Sequence, residues 1–174
     1  TVLVTGALHE DGLADAADGF GGGSTPERIL EIMKDSRIGT YGAVALILAI
    51  TLKIVVLDSL ARRDVVLVLI AGHTLARWSS VALLWNAKYL GTKGAGFSDG
   101  VTVPRLALAT TLAFGICALA LRQRAILPVL ASVFVTAATG VYFKRRLGGV
   151  TGDCLGATNQ LVEIALYLTL AAAI

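Results

Sequence analysis

Apolar runs at residues 41–57, 65–90, 103–121, 125–143 and 154–174 alternate with short polar breaks. Each approaches the roughly 20 residues that a helix needs to cross a bilayer core. Charges close several of them: Asp58 with the Arg62-Arg63-Asp64 turn, Arg122-Gln123-Arg124, and Lys144-Arg145-Arg146. Pro104 and Pro128 stand in the first turns of the third and fourth runs, where a missing N–H does little harm. Lys53, near the far end of the short first run, is expected to snorkel to the interface. Residues 1–4 start in mid-pattern and read as the tail of an earlier span. The expected fold is all-α: a polytopic membrane bundle of about five full spans plus that tail, in one domain over 1–174. No internal repeat and no long linker divides it.

Each span reverses the chain, so residues 1–40, 91–102 and 144–153 share one side and the 58–64 and 122–124 turns lie opposite. The first side holds Arg28, Lys34, Arg37, Lys88, Lys93, Arg105, Lys144, Arg145 and Arg146, the other Arg62, Arg63, Arg122 and Arg124. Positive-inside bias therefore places the first side in the cytoplasm.

The stretch over 5–42 breaks the apolar pattern. It carries Glu10, Asp11, Asp15, Asp18, Glu27, Glu31 and Asp35, seven of the twelve acidic residues. Asp11, Asp15 and Asp18 fall at i, i+4 and i+7, so a helix aligns all three on one face. Like charges at that spacing repel, and hard oxygen ligands call for a cation such as Mg²⁺ or Mn²⁺. Gly19 and Gly21-Gly22-Gly23 are expected to stop the helix and admit a ligand close to the backbone. Ser24 and Glu27 predict a capping box for a second helix, with Pro26 in its first turn. That helix is expected to carry Glu31, Lys34, Asp35 and Arg37 and to end at Gly39. Acidic helix, glycine hinge and mixed-charge helix together read as a metal–phosphate site.

The last run repeats the one-faced logic: Asp153, Gly156, Gln160 and Glu163 form a polar stripe, bordered by Asn159. Asp153 is a candidate for metal or substrate, and Glu163 fits a substrate cavity or an interhelical contact equally well. His73 and Arg77, at i and i+4, suit interhelical hydrogen bonds; alternatively the guanidinium forks to a phosphate. The glycine-rich loop over 91–100 is a weak candidate for closing on substrate. Composition then narrows the function classes. The chain is 56% hydrophobic and 16% charged, with mean hydropathy +0.77, as a membrane protein is. A net charge of +3 and pI near 9.1 come without a basic stripe interleaved with aromatics, so nucleic acid is not the expected partner. Cys117 and Cys154 show neither a disulfide framework nor metal spacing.

GALHEDGLADAADGFGG followed by MKDSRIGTYG, with GGVTGDCLGATNQ near the C-terminus, closely resembles the motifs of the cobalamin synthase family, adenosylcobinamide-GDP ribazoletransferases. The resemblance runs over the whole chain; Glu10 stands where many relatives carry an apolar residue. Family members usually begin with further N-terminal membrane sequence, so the resemblance implies a catalytic domain preceded by another membrane segment. It implies an integral protein of the bacterial or archaeal cytoplasmic membrane, with its site on the cytoplasmic side. Adenosylcobinamide-GDP would react with α-ribazole or its 5′-phosphate, with Mg²⁺ as cofactor, membrane lipid as surroundings and room for a homo-oligomer. Asp11, Asp15, Asp18 and Asp35 would bind the metal against the diphosphate. Lys34, Arg37, Arg77, Gly21, Gly22, Asn159 and Gln160 would contact substrate or phosphate, and His9 or Asp153 would act as base. A different membrane phosphotransferase, or a transporter using Glu163, His73 and Arg77, are the rival readings; Asp15-x-x-Asp18-Gly19 matches only part of the CDP-alcohol phosphotransferase signature.

Overall fold

A computed structural model of the protein describes residues 5–60, 62–91 and 101–172. Seven α-helices follow in order: α1 (Leu8–Gly22), α2 (Pro26–Met33), α3 (Thr40–Ser59), α4 (Arg62–Asn86), α5 (Val103–Leu121), α6 (Ile126–Leu147) and α7 (Gly152–Ala171). A 3₁₀ turn, Arg122–Ala125, joins α5 to α6. Among the described residues, four stretches are long and apolar enough to cross a membrane: Thr40–Ser59, Asp64–Asn86, Val103–Leu147 and Gly152–Ala171. The third comprises α5 and α6, which run in opposite directions along α4. Trp78 donates to Thr110 on α5, Gly140 on α6 meets Leu83, and Arg124 in the turn pairs with Asp64 at the start of α4. With that reversal, the five expected spans correspond to α3 to α7.

The most polar span is the most buried. In α7 61% of the apolar window is buried inside the protein, against 17% in α3, whose side chains mostly face outward as expected toward lipid. α7 packs against α1, α3, α4 and α6. Along it lie two apolar cores, one around Leu13, Ile29, Met33, Phe143 and Ala157, the other around Leu75, Trp78, Cys117, Val162 and Leu166. Asn159 and Gln160 fall between them and Glu163 beside the second, so a polar layer separates two dry ones.

Three local expectations are corrected. The first helix ends inside the expected glycine triplet, at Gly22 with Gly23 as its C-cap, but it runs through Gly19, whose bare Cα lets the Met33 side chain and the Ile29 carbonyl pack against it. The N-cap of α2 is Thr25, accepting from Arg28 N at 3.3 Å, not Ser24; Pro26 occupies N1, which fixes the cap one residue later. That helix ends at Met33, leaving Lys34 as its C-cap and Asp35 and Arg37 in the connection to α3. From residue 92 on, the 91–100 loop lies outside the described residues.

The candidate active site

α1 and α7 run antiparallel and touch backbone to backbone. A Cβ on Gly12 would lie 3.1 Å from both Cα and O of Asp153 and 3.2 Å from Gly156 Cα. Two glycines thus bring the acidic face of α1 against the first turn of α7. Asp11 is exposed and Asp15 half-buried. Asp15 is pushed up to about 6, first by burial and then by the charges of Asp11, Asp153 and Asp18. No basic side chain of the described residues figures among those influences. Asp15 of the first motif therefore lies in the fields of Asp11, Asp18 and the C-terminal motif's Asp153, all of one sign.

Neighbouring segments hold this rim together. Leu90 N donates to Val150 O at 2.8 Å and Val150 N to Lys88 O at 2.9 Å, which brings Tyr89 beside Gly152. Burial and then Asp153 push the Tyr89 hydroxyl up. Arg146 donates to Gly23 O at 3.0 Å, and its guanidinium lies over Phe20 and Tyr142. Arg146 thereby holds the carbonyl of the C-cap residue of α1, where a cation is favoured.

Asp18 shares the acidic face but is spent on structure. Its carboxylate accepts from Gly39 N at 2.7 Å and Gly42 N at 2.9 Å, so it caps α3. A Cβ at either glycine would collide with that carboxylate. Asp35 closes on Arg37 through three side-chain contacts, the shortest 2.6 Å, and these hold its carboxyl down at about 2. It is absent from the influences on Asp15. Lys34 and Arg37 are exposed, Gly22 lies against Ile32, and Gly21 lies under the Tyr41 ring, where a Cβ would meet carbon at 2.6 Å.

The other expected contacts gather deeper in the bundle. Glu163, 3% exposed, meets Lys53 Nζ at 2.6 Å and His73 Nδ1 at 2.8 Å, with Arg77 at 3.9 Å. Arg77 donates to Asn159 Oδ1 at 2.5 Å, and Asn159 Nδ2 donates to Ser80 Oγ at 2.6 Å. Gln160 accepts from Lys53 at 2.5 Å and donates to Glu10 Oε1 at 3.1 Å. His9 lies in the field of Arg77, Glu10, Glu163 and Lys53. The interhelical alternative holds for Glu163, His73 and Arg77, and Lys53 turns inward instead of snorkelling, because a buried carboxylate on α7 offers it a partner. Glu10 Oε2 is the buried side-chain oxygen without a hydrogen-bond partner among the described residues.

Gly12 and Tyr89 escaped the sequence reading. A glycine inside an acidic helix carries no sign of its partner, although its alignment with Asp15 and with the Gly156 stripe was the available signal. Among the described residues no three His, Cys, Asp or Glu side chains converge on a ready-made metal cage. That suits Mg²⁺, which usually takes one or two carboxylates and completes its shell with water and substrate phosphates. Asp15 with one of its neighbours Asp11 and Asp153 supplies hard, mutually repelling oxygens of that kind, so the residues present fit the ion.

The family model described as cobalamin-5-phosphate synthase matches residues 1–171. An adenosylcobinamide-GDP ribazoletransferase of Shewanella piezotolerans is 41% identical over 98% of this chain and 68% of its own length. Proteins of the same name from Polaromonas sp. and Vibrio cholerae are both 43% identical, over 98% and 99% of this chain and 69% and 68% of their own lengths. No solved structure matches.

Proposed function

The chain belongs to the cobalamin-5-phosphate synthase family, and from that premise we propose that it joins adenosylcobinamide-GDP to α-ribazole or its 5′-phosphate at the α1–α7 rim. The hydroxyl oxygen of the ribazole attacks the cobinamide-side phosphorus of the diphosphate. A new P–O bond forms, the bond to the GMP phosphate breaks, and adenosylcobalamin or its 5′-phosphate leaves with GMP. The single observation that supports this siting is the meeting of Asp11 and Asp15 with Asp153 across the Gly12–Gly156 contact.

Two of the carboxylates Asp11, Asp15 and Asp153 would hold Mg²⁺, which neutralises the diphosphate and the departing GMP when bound. This narrows the expected ligand set. Asp18 positions the start of α3 through two amides, and Asp35 is neutralised by Arg37. Lys34 is exposed while Arg37 is paired with Asp35, so Lys34 is the better phosphate contact of the two cations; Arg77, Asn159 and Gln160 act inside the bundle. His9 or Asp153 takes the hydroxyl proton. The rim faces the cytoplasm, following the basic excess on that side.

Purified protein in detergent, given adenosylcobinamide-GDP and α-ribazole, is expected to release GMP only with Mg²⁺ present. No release under any divalent ion, or release from a CDP-alcohol instead, sinks the reading.

A further inference from the structure

Glycine contacts bring helices close but leave them free to slide and turn; polar side chains inside a bundle are what fix register. At Gly12 and Gly156 the surfaces are bare, yet the position of Asp11 and Asp15 over Asp153 depends on how α1 is rotated on α7. One turn deeper, a chain of hydrogen bonds supplies that constraint. Glu10 on α1 accepts from Gln160 on α7, Gln160 accepts from Lys53 on α3, and Lys53 pairs with Glu163 on α7. Glu163 in turn meets His73 on α4. Four helices are tied in succession, and the first tie sits on the residue next to Asp11.

The Lys53 and Glu163 side chains are only 15% and 4% exposed, so both charges have lost their water. A desolvated pair of this kind gains little over an apolar pair of equal volume, and its best-attested use is to specify register. We propose that Glu10, Gln160, Lys53 and Glu163 form a register lock: positioning residues that set the rotation of α1 on α7 and hence the gap between Asp11, Asp15 and Asp153. The lock rests on the reading of those three carboxylates as the cation site, but it can be tested apart from it.

The test is the paired replacement Lys53→Met with Glu163→Gln in the full chain, which removes both charges at similar volume. The variant is expected to melt in detergent no lower than wild type. Its kcat should nevertheless fall about tenfold and its half-saturating Mg²⁺ rise by a similar factor, since a misplacement near 1 Å is worth up to about a hundredfold. The independent readout is the distance distribution between spin labels on Ala17→Cys and Leu161→Cys, which should broaden or shift in the paired variant. Wild-type kcat, or an unchanged label distance, overturns the lock. If Asp15→Asn leaves Mg²⁺ dependence untouched, the ligand assignment fails instead, and the label distance alone still decides the lock.

Discussion

The rim and the polar layer beneath it use the same residue types to opposite ends. At the rim, Asp15 feels Asp11, Asp153 and Asp18 and no cation among the described residues. In the layer below, Glu163 has Lys53 and His73 within 2.8 Å and Arg77 at 3.9 Å. Depth explains the difference. A buried charge must be paired or it costs several kcal/mol, whereas a half-exposed one can wait for its counter-ion. A surplus of one sign at a wet rim therefore marks a place that a ligand completes, and a balanced cluster marks a joint already made.

The sharpest way to break this contrast is Asp15→Asn. Losing a metal ligand removes several kcal/mol of transition-state stabilisation, so Mg²⁺-dependent GMP release should fall by at least about a thousandfold. The protein should still fold in detergent, because the lost charge repels its neighbours. Turnover within a few-fold of wild type would show that the rim is not the site.

Next in size is Glu163→Leu on its own. It strands Lys53 in a desolvated position, and breaking one side of a buried pair costs about 3–5 kcal/mol. The melting temperature in detergent should drop clearly for this single change and recover when Lys53→Met is added. A single variant as stable as wild type would mean that water reaches the layer, and the contrast with the rim would fade.

Gly12→Ala probes the contact that joins the two regions. The added methyl would face backbone atoms of Asp153 and Gly156 at 3.1–3.2 Å, and backbone does not move aside as a side-chain tip can. Overpacking of this kind costs about 1–3 kcal/mol. Turnover should fall more than stability, because α1 must lift away from Asp153. Equal activity in a stable Gly12→Ala protein would separate α1 from the chemistry.

Much of this arrangement was legible beforehand. Run length predicted α3 to α7, span parity brought residues 144–153 to the side of α1, and the i, i+4, i+7 spacing put three aspartates on one face. What could not be read was the partner of each group. Asp18 finds backbone amides at Gly39 and Gly42, and amides leave no mark in a sequence. Lys53 late in an apolar run fits either an interface or a buried acid, and only the packing of α3 on α7 decides between them. Gly12 and Gly156 acquire meaning only as a pair, 144 positions apart. Local propensity and periodicity are properties of single segments, while satisfaction of buried polar groups belongs to the assembled bundle.

The finest test of the contrast is pH, because the rim holds a carboxyl raised toward neutrality. Asp15 stands near 6 in the folded chain against an ordinary 3.8, through burial first and its acidic neighbours next. A carboxyl raised in this way costs stability wherever the unfolded chain gives up a proton that the folded chain still holds. Its penalty is absent below 3.8, grows as pH climbs, and is complete above about 6. Metal-free protein should therefore melt higher at pH 5 than at pH 7 through this residue. Mg²⁺ must displace the same proton, so its half-saturating concentration should rise by up to about tenfold per unit below pH 6. Acid thus stabilises the empty rim and weakens the loaded one, and Asp15→Asn should shrink both trends to the part left by half-buried Asp153. If the variant keeps the whole pH-dependent difference in melting between Mg²⁺-free and Mg²⁺-loaded protein, some other group carries it, and Asp15 is not the carboxylate that the cation meets.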